Sequence, residues 1–242
     1  MQTDEYRRMF ELEDRYWWFV GRRRIAIGLL KRFVKNQENL RILDLGCGTG
    51  VISGELAFLG DVLSVDRSDV ALKFCQERQL KRLLLSDGTQ LGVKTDSFDG
   101  MIALDIFEHI EDDRAAFLEA IRVLKPGGCL VLSVPAYRFL WGPHDIALMH
   151  HRRYVRHEMK NRLESAGFRV VKISYSVFLL FPIVCVVRFF EKRKKGEPKA
   201  SLAPLPNWMN SLLIGIQAIE AKLVDVFNLP WGSSIIAVAV KS

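Results

Sequence analysis

Residues 40–50 read Leu40-Arg41-Ile42-Leu43-Asp44-Leu45-Gly46-Cys47-Gly48-Thr49-Gly50, and the fold turns on them. A short apolar run enters three glycines at G-x-G-x-G spacing, and an apolar segment of helical character follows at Val51 to Leu59. A strand, a tight turn and a helix in that order form half of a βαβ unit. Outward from it the alternation repeats. Strands are expected at Val62 to Val65, Arg82 to Leu85, Gly100 to Leu104 and Cys129 to Val134, with helices at Val70 to Gln79 and Arg114 to Leu124. Pro126-Gly127-Gly128 breaks the chain before the fifth strand. After a loop at 136–154, a helix is expected over Arg156 to Ala166, a sixth strand over Phe168 to Tyr175 and a seventh over Ser233 to Val240. Such alternation implies right-handed crossovers and an α/β sheet that is mostly parallel.

The glycine turn aims the amides of the following helix at a ligand. Asp66, closing the second strand, can take both hydroxyls of a ribose. The dinucleotide fingerprint needs a third glycine where Val51 stands. Asp44, two residues before Gly46, would repel a pyrophosphate but suits an ammonium or sulfonium group. Residues 41–135 carry a charge balance of −5, which also suits a small cationic ligand. These features favour S-adenosylmethionine over NAD.

Asp44 to Gly50 resembles motif I of the class I S-adenosylmethionine-dependent methyltransferases, in the type 11/type 23 group related to quinone-biosynthesis methyltransferases. Three further stretches resemble that family in order: Ser86-Asp87-Gly88, Phe98 to Asp105 with Ile106 to His109, and Leu124 to Gly128. The resemblance covers about residues 40–175. It implies a Rossmann-like seven-stranded sheet of order 3-2-1-4-5-7-6, strand seven antiparallel, with helices on both faces. It also implies cofactor contacts at Asp44, Gly46, Cys47, Gly48, Gly50, Asp66, Arg67, Asp87, Gly88, Leu104, Asp105 and His109, with Asp87 at the adenine amine. No metal ligand is assigned. Apolar and aromatic residues recurring through 4–35 read as helical, with Gly21 as the expected break. Residues 1–39, with Tyr16-Trp17-Trp18-Phe19 and Arg22-Arg23-Arg24, resemble the helical lid of the same group, and 40–242 the methyltransferase domain.

The loop after strand five should hold the methyl acceptor, since ligands sit beyond the carboxyl ends of parallel strands. It gathers His144, Asp145, His150, His151, Arg152, Arg153 and Tyr154. A histidine oriented by an aspartate is a plausible base near neutral pH, so His150, His144 and Asp145 are the catalytic candidates, His150 first. The alternative is a polar network that braces the loop. Bacterial type 23 proteins resemble this stretch as Asp-x-x-x-Gly-His-x-Arg-Arg-Tyr, with Met149 here in place of the glycine.

The chain has 242 residues, 49% hydrophobic and 26% charged, which excludes a disordered or low-complexity protein. Its four cysteines lie far apart with no CxxC pair, arguing against a zinc site or secreted disulfide framework and fitting a reducing, cytoplasmic compartment. Residues 136–242 carry a balance of +9. Residues 177–230 form an insertion before the last strand. Its apolar run, Val177 to Val187, is too short to span a bilayer, yet with the basic cluster 192–195 it suits peripheral contact at the inner membrane face. A helix at Trp208 to Phe227 is expected to turn Leu212, Leu213, Ile216, Ile219, Leu223, Val226 and Phe227 to one face, and Gln217, Glu220, Lys222 and Asp225 to the other. Nucleic-acid binding is not expected, because no recognised RNA module accompanies the tandem aromatics. The reading is a methyltransferase for a small or lipid-like acceptor. An NAD-dependent oxidoreductase and a non-catalytic membrane-associated module that keeps the cofactor pocket remain as alternatives.

Overall fold

The structure is a computed structural model that describes residues 3–34, 39–191 and 204–242. The strands are β1 (Leu40–Leu45), β2 (Gly60–Asp66), β3 (Leu83–Leu85), β4 (Phe98–Leu104), β5 (Leu124–Pro135), β6 (Phe168–Ser176) and β7 (Ser234–Lys241). They form one sheet in the order β3-β2-β1-β4-β5-β7-β6. β1 to β5 pair in parallel, while β7 runs antiparallel to both β5 and β6. The expected architecture is therefore found strand for strand.

Successive residues of the central strands face opposite sides of the sheet, and both sides are buried, as a parallel sheet requires. Leu43, Met101 and Leu132 join one core, covered by Phe117 of α5 (Asp113–Val123) and by Met159 and Leu163 of α7 (Arg156–Ser165). Ile42, Ile102 and Val131 join the other, covered by Ile25, Leu29 and Leu30 of α2 (Trp17–Phe33). Each such side chain contributes about 1.5–3 kcal/mol when fully buried.

The glycine turn leads into α3 (Val51–Leu56), and α4 (Asp69–Glu77) follows β2, with Ser68 at its N-cap accepting from the Ala71 amide. Asp112 caps α5 in the same way, accepting from the Ala115 amide at 3.0 Å. Both caps offset amides that the first helical turn leaves unpaired.

Two expectations need correction. Gly21 does not break the N-terminal helix. The break falls between α1 (Thr3–Leu12) and α2, and Gly21 lies inside α2, where a Cβ would come within 2.8 Å of Gln217 Cβ. Its missing side chain lets α2 approach α9 (Asn207–Val226). The apolar run 177–187 leads through a turn in which Val177 takes φ 60° into most of a helix, α8 (Phe181–Glu191). Finally, the two expected faces of α9 are mixed. Gln217 and Glu220 are buried and Leu212, Ile219, Val226 and Phe227 exposed, whereas Lys222 and Asp225 are exposed as expected and Leu223 packs on the core. The basic cluster 192–195 and most of the linker 196–206 lie outside the described residues.

The N-terminal helices close over the glycine turn. Arg23 donates to Glu55 at 2.6 Å and to the Glu13 and Asp14 carbonyls. Asn210 of α9 accepts from the Trp17 amide at 2.9 Å and donates to the Arg15 carbonyl at 2.8 Å, which ties α2 to α9.

Candidate functional site

A cavity of about 300 Å³ opens at the carboxyl ends of β1, β2 and β3. It is lined by Leu45, Gly46, Asp66, Arg67, Asp87 and Gly88, and on its far side by Ile106, His109 and His151. Gly46 has φ 70°, and a Cβ there would meet the Ile106 side chain at 2.8 Å. A glycine is thus required both by the backbone and by the space. Asp66 holds the turn: its carboxylate accepts from the Gly48 amide at 3.0 Å and the Ser68 amide at 2.9 Å. Burial raises its pKa above the ordinary aspartate value, against those hydrogen bonds.

The other residues assigned to the cofactor sit around this wall. Asp44 is buried and accepts from Ser53 Oγ at 2.6 Å, while Ser64 Oγ donates to Ser53 Oγ at 2.7 Å. Burial pushes the Asp44 carboxyl up to about 6 despite the Ser53 bond. The Cys47 thiol lies 3.7 Å from that of Cys75. Gly50 caps α3 with φ 91°. Leu104 is core, and Asp105 pairs with Arg22 and accepts from Ser133 Oγ at 3.2 Å. Asp87 uses one oxygen to accept from the Thr89 amide at 2.8 Å and the Thr89 hydroxyl at 2.7 Å. Its pKa lies below the usual value because of those bonds.

The helices α1 and α2 supply further residues to this region. Met9 stands over Gly48. Glu13 is fully buried, accepts from the Thr49 hydroxyl and pairs with Arg78 at 3.0 Å. Arg78 also donates to the Thr49 carbonyl at 2.9 Å. Arg22 lies over the Trp18 ring at 4.3 Å and pairs with Asp105. Burial pushes the Glu13 carboxyl up to about 7, against Thr49 and Arg78. Between its unfolded value near 4.5 and that value the folded state binds the extra proton, so this group makes stability fall as pH rises through that window. Glu13→Gln is expected to remove the effect. The variant should gain on the wild type between pH 5 and pH 8 by up to about 3 kcal/mol, read from thermal melts at the two pH values.

The loop after β5 folds as a 3-10 turn at 138–140 and a short helix α6 (Pro143–Ala147). Asp145 is buried and accepts from four donors: the Gly142 amide at 2.9 Å, His150 Nδ1 at 3.0 Å, and Arg153 Nε and Nη2 at 2.8 and 3.0 Å. Burial opposes its charge, but His150 and Arg153 hold its carboxyl well below the usual range. The bidentate arginine is the strong form of such a pair. Arg152 and Tyr154 brace the same loop on Asp113 at 3.0 and 2.8 Å. Asp145, Arg152, Arg153 and Tyr154 therefore form the bracing network. His150 joins it through one ring nitrogen, and the other has no hydrogen-bond partner among the described residues. Its ring meets His109 edge-on at 4.6 Å, and His144 lies 6.3 Å away. Burial drives His109 and His144 down to about 3, so both are neutral imidazoles near pH 7.

Met149 has φ 57°, the left-handed conformation that the glycine of the resembling sequences adopts without strain. It is 54% exposed, so little packing would be lost by shortening it. Met149→Gly is expected to leave stability level or raise it by up to about 1 kcal/mol, as measured by urea unfolding.

Glu108 is buried, and neither carboxylate oxygen has a hydrogen-bond partner among the described residues. Burial, then Asp105, raises its pKa well above the ordinary value. With His109 and His150 it offers ligand atoms all within 4.8 Å of one another, close enough to share an ion. The sequence could have flagged Glu108 through the pair Glu108-His109, which also reads as a helix start. Nothing in it links Arg22 to Asp105, 83 residues away.

Residues 43–132 match the family described as a methyltransferase domain. That match indicates a class I S-adenosylmethionine-dependent methyltransferase domain of the type 11 group over those residues. A ubiquinone biosynthesis O-methyltransferase from Parvibaculum lavamentivorans is 30% identical over 112 residues, 44% of each chain. The aligned stretch thus spans under half the length of that curated relative. Among solved structures, phosphoethanolamine N-methyltransferase 2 of Haemonchus contortus, in complex with S-adenosyl-L-methionine, aligns with a TM-score of 0.60 at 19% identity, covering 89% of this chain and 52% of that one. The [4+2]-cyclase SpnF aligns at 0.57 and 19%, covering 88% and 78%. Both are likenesses of fold, and the second shows that this methyltransferase fold also serves a protein named for a different reaction.

Proposed function

We propose that the chain transfers a methyl group from S-adenosylmethionine to a small, lipid-like acceptor, with His150 removing the acceptor's proton. The observation that carries this is the adjacency of two arrangements: the Asp66-anchored glycine turn beside the cavity, and the Asp145–His150 pair one imidazole ring beyond it.

The residues present fit the cofactor. Gly46 leaves room for close approach, Asp66 presents an acid for ribose hydroxyls, and the second oxygen of Asp87 serves the adenine amine. The bound cofactor supplies an activated methyl group on a sulfonium. Residues 1–39 act as a lid: Met9 covers the turn, and Arg22 locks α2 to the end of β4. Closure excludes water, which would compete for the methyl. Asp145 accepts from His150 Nδ1, which fixes the tautomer and leaves Nε2 to take the proton. As the acceptor's lone pair forms its bond to carbon and the carbon–sulfur bond breaks, that proton passes to His150 Nε2. His109 and His144 stay neutral beside it, so no positive imidazole opposes the charge His150 gains.

The lipid-like acceptor is supported by the curated relatives, which are named for ubiquinone biosynthesis. The test is a labelled-methyl transfer screen across lipid, quinone and glycan extracts. Label in a product of the organic phase is the expected result. A chain that binds the cofactor yet labels nothing in any extract would be a non-catalytic module.

A further inference from the structure

α8 and α9 turn their apolar sides to the outside. On α8, Ile183, Val186, Val187 and Phe190 fall at i, i+3, i+4 and i+7, one stripe of a helix, and are 61%, 55%, 48% and 57% exposed. No residue of α8 is fully buried. On α9, Trp208, Leu212, Ile219 and Val226 repeat at near-heptad spacing and are 56–68% exposed. Most of the large apolar side chains exposed among the described residues lie between Leu179 and Trp231.

The inside of α9 combines Val224, which joins the core, with two buried polar side chains that have structural partners. Glu220 accepts from the Val177 and Leu179 amides and pins the turn into α8. Gln217 fills the space over Gly21. A helix that buries a glutamine and a glutamate while leaving Trp208, Leu212, Ile219 and Val226 exposed gives up, at each of these, about 1.5–3 kcal/mol of burial in water. That exposed stripe suits a surface that is itself apolar.

Charge selects which surface. The sequence directly after α8 is Lys192-Arg193-Lys194-Lys195, within a C-terminal segment, 136–242, whose balance is +9. The one acidic residue of α8, Glu191, is paired with Arg188 at 3.0 Å. Exposed tryptophans, Trp208 and Trp231, suit the level of lipid headgroups. No helix among the described residues is long and apolar enough to cross a membrane. We infer that the outer faces of α8 and α9 dock on a bilayer bearing anionic headgroups, lying in its interface without spanning it. Arg188, turned inward from α8, faces the Asp145–Arg153 pair, so docking would set the lipid surface beside the acceptor loop.

The test is flotation of the full chain with phosphatidylcholine vesicles, with and without phosphatidylglycerol, at low and high salt. Binding should require phosphatidylglycerol and weaken with salt. The paired substitution Val186→Glu with Phe190→Glu, and separately Leu212→Glu with Ile219→Glu, should each lower the partition coefficient by more than about tenfold, while Leu118→Glu on α5 should leave it unchanged. Thermal melts and S-adenosylhomocysteine binding identify which paired variants are folded. No binding to phosphatidylglycerol vesicles at low salt would overturn the inference, as would unchanged binding by the folded paired variants. A concentration-dependent dimer abolished by both pairs would overturn it too, by assigning the face to a second copy of the chain.

Discussion

Replacing His150 with alanine is expected to lower methyl transfer by about 10²- to 10⁴-fold, the ordinary contribution of a positioned base, and to change the dissociation constant of S-adenosylmethionine by less than about threefold. The two effects separate because His150 does not line the cavity, whereas its neighbours His109 and His151 do. Its ring is held from behind by Asp145 and met edge-on by His109. Removing the imidazole leaves Asp145 with Arg153 and the Gly142 amide, so the loop keeps its brace. Added imidazole should restore part of the activity, which a merely structural role would not allow. Equal losses in turnover and cofactor affinity would remove His150 from the role of base.

The opposite split is expected at Asp66. Asp66→Ala takes away the ribose acid and also orphans the Gly48 and Ser68 amides that now donate to it. Hydrogen bonds to a charged acceptor contribute about 1.5–3 kcal/mol each, so cofactor affinity should fall by about 10²-fold or more. Asp66→Asn keeps the shape and loses the charge, and should fall between the variant and the wild type. Titration calorimetry reads both. Turnover at saturating cofactor should drop far less than with His150→Ala, because Asp66 touches neither the acceptor loop nor its base.

The central sheet is legible in the sequence because its strands are nearly unbroken apolar runs, and the glycine turn and Asp66 mark the ends of two of them. The order and the reversed last strand came from resemblance, and the pairing bears both out. The acceptor loop was legible as a cluster, since Asp145, His150 and Arg153 lie within nine residues. What escaped depends on distant partners. Periodicity separates apolar from polar positions on α9 but does not show that Gln217 and Glu220 turn inward; that is set by the amides at Val177 and Leu179 and by Gly21, about 40 and 200 residues away. Gly21 looks like a helix breaker until its neighbour across the interface, Gln217, is seen. Arg22 is one of three consecutive arginines, and only the packing of α2 decides that it, rather than Arg24, meets Asp105.

The claim beneath all of this is that the turn at 46–50 and the acid at Asp66 hold an adenosyl sulfonium. Calorimetric titration of the full chain with S-adenosylmethionine and, in parallel, with NAD tests it most directly. One equivalent of S-adenosylmethionine bound at micromolar affinity, lost in Asp66→Ala, with no heat from NAD, is the expected result. Binding of NAD, or S-adenosylmethionine binding that Asp66→Ala leaves untouched, would contradict it.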